Sequence, residues 1–315
     1  MRTELRNVMV FVTLACWAMI LPRAGGQEYG KANSELAAVN VSPGTGTSDA
    51  VLVGAGDIAS CDDLRGAEAT AKLIEGIPGT VFAAGDLAYP DGSDENFANC
   101  YGPTWGRFRE RTRPAPGNHE YHRTGASGYA RYFGEAAGDG SKGYYSYELG
   151  AWHIVVLNSE CEEAGGCEST SAQGRWLRED LAKHPRDCTL AYFHQPLFSS
   201  GAKHGNNPKV KPLWGLLYGA GAEVVINGHD HDYERFAPQD PEGHPDPTRG
   251  IREFVVGTGG KNSHRRFGAV QPNSEVRNDN TFGVLKLTLH PHGYGWEFVP
   301  EAGKAFTDTG AGVCH

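Results

Sequence analysis

Apolar and polar positions separate sharply along this chain. From Val51 onward, short apolar runs rich in β-branched residues alternate with polar loops and with stretches of helical spacing. VLVGAGD (51–57) and TVFAAGD (80–86) each read as a buried strand ending in Gly-Asp, because a short continuous apolar run closed by a turn signal fits a strand covered on both faces. Between them GAEATAKLIEG (66–76) has helical spacing, so the three segments predict a βαβ unit with a parallel strand pair. YYSYELGAWHIVVLNS (144–159) predicts a hairpin broken at Gly150, and RWLREDLAKH (175–184) an amphipathic helix. TLAYFHQP (189–196), EVVINGHDH (223–231) and EFVVGTGG (253–260) are further strand-then-loop units. FGVLKLTLH (282–290) and GWEFV (295–299) predict a closing antiparallel pair. The alternation predicts one α/β domain over residues 51–315.

The first 50 residues follow another pattern. Arg2 and Arg6 precede an apolar run at 8–21, and small residues follow at 24–26. That order predicts a signal peptide over residues 1–26, since the run is too short and too early for a spanning helix. The residues after Cys16 stay hydrophobic, which argues against a lipoprotein cysteine. Residues 27–50 are polar and rich in Gly, Ser and Thr, and read as a flexible leader. The mature protein is therefore expected to be secreted or otherwise extracytoplasmic, without stable membrane association after cleavage.

Removing residues 1–26 takes away three arginines and one glutamate, which moves the formal net charge from −9 to −11. An acidic surface of that size argues against a nucleic-acid partner. Six cysteines remain: Cys61, Cys100, Cys161, Cys167, Cys188 and Cys314. An even count in an exported chain reads as disulfides, with fifteen possible pairings. Cys161 with Cys167 makes the most local loop, and Cys188 with Cys314 would tie down the carboxyl terminus. A structural zinc site is the rival reading, but no pair of CxxC knuckles is present.

Five of the apolar runs end in a short polar element: GDIAS (56–60), GDLAY (85–89), PGNHE (116–120), FHQP (193–196) and GHDH (228–231). Each alone has an ordinary explanation, such as a helix cap for Asp57 and Asp86, a turn for Asn118 or a satisfied core histidine for His194. Together they place oxygen and imidazole donors beyond five strand ends, expected in one small sheet, where open α/β sheets bind ligands. No GxSxG elbow occurs, which sets a serine hydrolase aside.

The order GD, GDxxY, GNHE, a lone His and GHxH resembles the calcineurin-like metallophosphoesterases. The tyrosine of GDLAY and the YERF after GHDH narrow the resemblance to the purple acid phosphatases, of the small, single-domain type. It runs from about residue 51 to 299, with VGTGGKN (256–262) and FGVLKL (282–287) as weaker late support. The resemblance implies a four-layer αββα sandwich of two mixed β-sheets flanked by helices, and two metal ions. Asp57, Asp86, Tyr89 and His231 would hold the first, and Asp86, Asn118, His194 and His229 the second, with Asp86 as the bridge. Two carboxylates and a phenolate suit a trivalent ion, Fe(III), and the imidazole-rich half suits divalent Fe, Zn or Mn. The implied activity is acid phosphatase hydrolysis of phosphate monoesters by a metal-activated hydroxide, with His119 and then His204 as substrate-side groups. Lys203, Lys209, Lys211, Lys261, His264, Arg265 and Arg266 are basic residues able to attract an anionic substrate, and Tyr121 and His122 follow GNHE directly. Phosphodiester cleavage on the same core is the nearest alternative, and a non-catalytic secreted metal-binding module the more distant one.

Overall fold

Strands form where the chain carries its apolar runs. The computed structural model describes residues 49–139, 142–261 and 266–315. The expected signal peptide, and all of the expected leader up to residue 48, lie outside these residues. In the first sheet β1 (Ala50–Ala55) pairs in parallel with β3 (Thr80–Ala84), and β3 with β5 (Thr112–Ala115). On the other side β13 (Gly283–His290), β14 (Gly293–Pro300) and β15 (Thr309–Val313) continue it antiparallel. Two short strands, β2 (Ala59–Ser60) and β4 (Ala88–Tyr89), pair beyond the ends of β1 and β3 and set Ser60 opposite Tyr89.

The second sheet runs in the order β12 (Ser274–Asn278), β10 (Tyr233–Phe236), β11 (Arg252–Val256), β9 (Val224–Asn227), β8 (Thr189–Tyr192), β7 (Trp152–Val156) and β6 (Tyr145–Leu149). Its centre, β11-β9-β8-β7, is parallel, and both flanks are antiparallel. Side-chain alternation divides its contacts. Ile154, Val156, Leu190, Tyr192, Val224 and Ile226 join the core shared with the first sheet. Val155, Ala191 and Val225 face the opposite way and pack with Leu177, Leu213, Trp214 and Leu217, which lie on α4 (Ala172–Lys183) and α5 (Lys211–Gly219). On the first sheet, α1 (Arg65–Glu75) buries Ala67, Ala71 and Ile74. The result is the four-layer αββα sandwich, with short helices α2 (Asp94–Asn96) between β4 and β5 and α3 (Ser127–Phe133) between β5 and β6.

The βαβ unit, the hairpin at Gly150 and the β13–β14 pair all form as expected. Helix α4 starts three residues earlier than its apolar spacing suggests, because the Ser171 hydroxyl accepts the Gly174 N–H at 3.0 Å and caps it. Strand β15 was not legible: TGAGV has no apolar alternation and is held by its backbone pairing to β14. Three disulfides form, Cys61–Cys100, Cys161–Cys167 and Cys188–Cys314. The last links residues 126 apart in sequence, the kind of long loop whose closure stabilises by about 4–5 kcal/mol through the unfolded chain.

Candidate metal centre

Strands β1, β3, β5, β8 and β9 each stop within a few residues of a ligand-type side chain. These ends come from two sheets rather than one, and they meet because the sheets lie face to face. That corrects the expectation of a single small sheet. The turns are forced ones. Asp57, Asp86 and His229 have φ of 58°, 54° and 74°, the left-handed region that costs a non-glycine residue roughly 1–3 kcal/mol and that clusters at functional sites. Glycine allows the close approach beside them. A Cβ on Gly85 would lie 2.6 Å from the His194 ring, and one on Gly228 would lie 2.5 Å from Asp57 Oδ2.

All seven expected ligand residues converge. The Tyr89 hydroxyl donates to Asp57 Oδ1 at 2.8 Å and lies 3.1 Å from Asp86 Oδ2. His231 Nε2 lies 3.2 Å from Asp57 Oδ1 and 3.4 Å from the Tyr89 hydroxyl. On the other side of Asp86, His194 Nε2 lies 3.2 Å from Asp86 Oδ2 and 3.1 Å from His229 Nδ1. Ligand atoms of Asp86, His194 and His229 all fall within 4.8 Å of one another. His194 Nδ1 lies 2.9 Å from the Ala84 carbonyl, so Nδ1 carries the donated proton and Nε2 points into the cluster. Metal-ligating histidines are oriented in this way. Asn118 lines the same cavity, and its Oδ1 is buried with no hydrogen-bond partner among the described residues.

The electrostatics fit a cation. Asp57 and Asp86 are fully buried, which would raise their carboxyls, but the neighbouring histidines outweigh burial and hold both below the usual range. Burial opposes charge on His194, yet the Asp86 carboxylate pushes it up to about 10. Burial, then the charges of Asp57 and Asp86, push the Tyr89 phenol well above its ordinary value. The raised Tyr89 and His194 both have their polar atoms against these carboxylates, the phenol donating to Asp57. Metal binding displaces such protons, and the donor set of two carboxylates, a phenol, three imidazoles and an amide fits a two-metal centre.

A cavity of about 350 Å³ opens on the cluster, lined by Asp86, Asn118, His119, Lys203, His204 and Lys261 among others. His119 Nδ1 donates to the Pro90 carbonyl at 2.6 Å, which leaves Nε2 3.8 Å from Asp86 Oδ2. The His204 ring lies 4.0 Å from that of His229, and burial pulls its pKa below the ordinary value. Lys261 Nζ sits 4.7 Å over the Tyr89 ring and donates to Ser60 Oγ at 2.9 Å. Lys209 and Lys211 instead form exposed ion pairs with Glu162 and Glu242, Arg266 lies outside the cavity lining, and His264 and Arg265 lie outside the described residues. Tyr121 turns away to accept the Asn158 Nδ2–H at 2.7 Å, and the His122 ring lies 4.7 Å from that of His119, tilted by 58°.

Two supporting residues were not singled out by the sequence. Buried Glu120, the last residue of PGNHE, accepts the N–H groups of Asp86 and Gly117 on Oε2 at 2.9 and 2.8 Å and that of Leu87 on Oε1 at 2.8 Å. It thereby clamps GDLAY to GNHE, although burial and then the Asp86 charge push its carboxyl up to about 8. Asp230, between His229 and His231, accepts the Ser199 hydroxyl at 2.6 Å and the N–H groups of Gly205 and His204 at 3.0 and 3.3 Å. It anchors the loop that carries Lys203 and His204.

Comparison with known proteins agrees with this geometry. Residues 49–233, more than half of the chain, match the calcineurin-like phosphoesterase family. Purple acid phosphatase 21 of Arabidopsis thaliana is 34% identical over 225 residues, covering 63% of this chain and 50% of that protein. Purple acid phosphatase 15 of the same plant is 30% identical over 200 residues, covering 52% and 37%. Human acid phosphatase type 7 is 28% identical over 188 residues, covering 52% and 42%. The chain thus spans about half or less of the length of these curated relatives. Among solved structures, a purple acid phosphatase from yellow lupin seeds shares the fold with a TM-score of 0.63 at 21% identity, covering 84% of this chain and 54% of that one. The anchor protein of the Plasmodium inner membrane complex does so with a TM-score of 0.63 at 16% identity, covering 85% and 89%. By its matched residues, its fold and the convergence of its strand-end motifs, this chain belongs to the calcineurin-like phosphoesterase family.

Proposed function

We propose that this protein is a secreted dinuclear-metal phosphatase that hydrolyses phosphate monoesters. The observation that carries this reading is the convergence of seven ligand-type side chains from two sheets, three of them on left-handed backbone, beneath a cavity with basic residues. Asp57, Asp86, Tyr89 and His231 are assigned to an Fe(III) site, and Asp86, Asn118, His194 and His229 to a divalent Fe, Zn or Mn site. The 3.1–3.2 Å contacts of Asp86 Oδ2 with both Tyr89 and His194 support its role as bridge. When bound, such a metal pair supplies a water of lowered pKa and positive charge against the phosphoryl oxygens.

The remaining roles fall to the chain's own residues. His119, with Nδ1 committed to the Pro90 carbonyl, presents Nε2 as the proton donor to the leaving oxygen. His204 and Lys203, on the loop held by Asp230, face the substrate, and Lys261 lines the same cavity beside Tyr89. These groups bind and orient an anionic ester. The same reading takes residues 1–26 as a signal peptide, 27–50 as a leader and 51–315 as the catalytic domain, and the three disulfides support export.

Phosphate release from alkyl and nitrophenyl monoesters, beside a nitrophenyl diester, tests the proposal. Monoester turnover exceeding diester turnover supports it, with His119→Ala losing more on the alkyl than on the nitrophenyl ester, because the poorer leaving group needs the proton more. Preference for the diester would overturn the monoester assignment, and equal losses in the variant would remove His119 as the acid.

A further inference from the structure

At the opposite end of the second sheet from the strand-end motifs lies another histidine–carboxylate cluster. His153 stands at the start of β7, in register with Thr189 at the start of β8, whereas His194 follows the end of β8. Asp180 and His184 come from the last turn and C-cap of α4, one helical turn apart. His153 and Asp180 are buried, and His184 is half-exposed. His153 Nε2 lies 2.8 Å from Asp180 Oδ2, and His184 Nδ1 lies 3.2 Å from Asp180 Oδ1 and 3.0 Å from the Asp180 carbonyl. The two rings stack at 4.9 Å. One ligand atom from each of the three residues lies within 4.8 Å of the other two.

The surroundings complete the arrangement. Glu148, opposite His153 across the β6–β7 hairpin, places Oε1 2.9 Å from His153 Nδ1. A carboxylate there holds a proton on Nδ1, the second-layer support found behind metal-bound histidines, and a metal would replace the proton that Nε2 donates to Asp180. Arg186 Nε holds the other oxygen of Glu148 at 3.0 Å, and the Ser146 hydroxyl donates to Asp180 Oδ1 at 2.8 Å. The carbonyl end of α4 adds partial negative charge that favours a cation.

We propose that His153, Asp180 and His184 form a divalent metal site, best matched to zinc, distinct from the strand-end cluster. Two imidazoles and one carboxylate are borderline donors that select zinc over magnesium or calcium. Zinc–ligand bonds of about 2.1 Å at tetrahedral angles separate ligand atoms by about 3.4 Å, so the donors now in contact at 2.8 and 3.2 Å move apart to admit the ion. The half-exposed side of His184 gives access and leaves the fourth position to water. The ion ties the β6–β7 hairpin to the end of α4, so its binding is read in stability.

Zinc titration of the full chain after chelator dialysis, read by metal content and by native mass, provides the test. Wild type binds one zinc per chain more than His184→Ala at micromolar zinc, and that ion raises the wild-type Tm but not the variant's. His184 is half-exposed, so the variant keeps its fold. Asp86→Ala, which disrupts the strand-end cluster, retains a zinc that the double variant with His184→Ala loses. Equal zinc content in wild type and His184→Ala would overturn the site and leave the cluster as an ion-paired network around a protonated His153.

Discussion

The two ends of the second sheet carry similar chemistry on different scaffolds. At the carboxyl ends of β8 and β9, His194, His229 and His231 meet carboxylates brought from the other sheet, on loops whose backbone is bent into left-handed turns. At the amino ends of β7 and β8, His153 meets Asp180 and His184 on a regular strand and helix. The first arrangement opens on a cavity and leaves donors facing it. The second packs its donors against each other, and of the three only His184 lines a cavity, one of about 440 Å³ that Arg178, Arg186 and Thr189 also line. Similar residue types thus make a site for chemistry where loops release them from the sheet, and a brace where regular elements hold them.

Several substitutions break or sharpen that contrast. Asp86→Ala produces the largest effect: phosphatase activity falls about 10³-fold or more and the content of both strand-end metals drops, because one carboxylate serves both. Steady-state kinetics with metal analysis checks this, and retention of both ions would remove the bridge. His119→Ala follows, with a loss of about 10²-fold on alkyl phosphates and retained metal. Glu120→Ala leaves the N–H groups of Asp86, Leu87 and Gly117 without their acceptor. Metal affinity is expected to fall about 10–100-fold and stability by about 3 kcal/mol, read by competitive chelation and denaturant unfolding. Asp230→Asn weakens the anchor of the Lys203–His204 loop and lowers kcat/KM about 10-fold, with metal content unchanged. His184→Ala has the smallest effect on the reaction: turnover stays at the wild-type level while the zinc-dependent rise in Tm disappears.

The strand-end cluster was legible because each ligand follows its own strand within a few residues. The GD, GDLAY, PGNHE, FHQP and GHDH elements therefore announce themselves one at a time. Which sheet each strand joins was not legible, since buried parallel strands of either sheet carry the same continuous apolar pattern. Glu120 lay inside a recognised motif, but its role depends on backbone N–H groups more than thirty residues earlier. For Asp230, the direction of the side chain is set by the turn at His229, which composition does not reveal. The elements of the remote cluster were read as a hairpin and an amphipathic helix. Its site was missed because the contact between His153 and Asp180 is made only by packing α4 on β7.

Tyr89 bears most directly on the central account. Its phenol, pushed up by burial and by two carboxylates, ionises only against a strongly Lewis-acidic cation, because even free tyrosine has a pKa of about 10. Metal analysis with a visible spectrum of oxidised wild type and Tyr89→Phe tests that step. The account predicts iron with a phenolate-to-iron charge-transfer band in wild type, and a bleached spectrum with iron retained in Tyr89→Phe. A colourless wild type with full iron occupancy would contradict it.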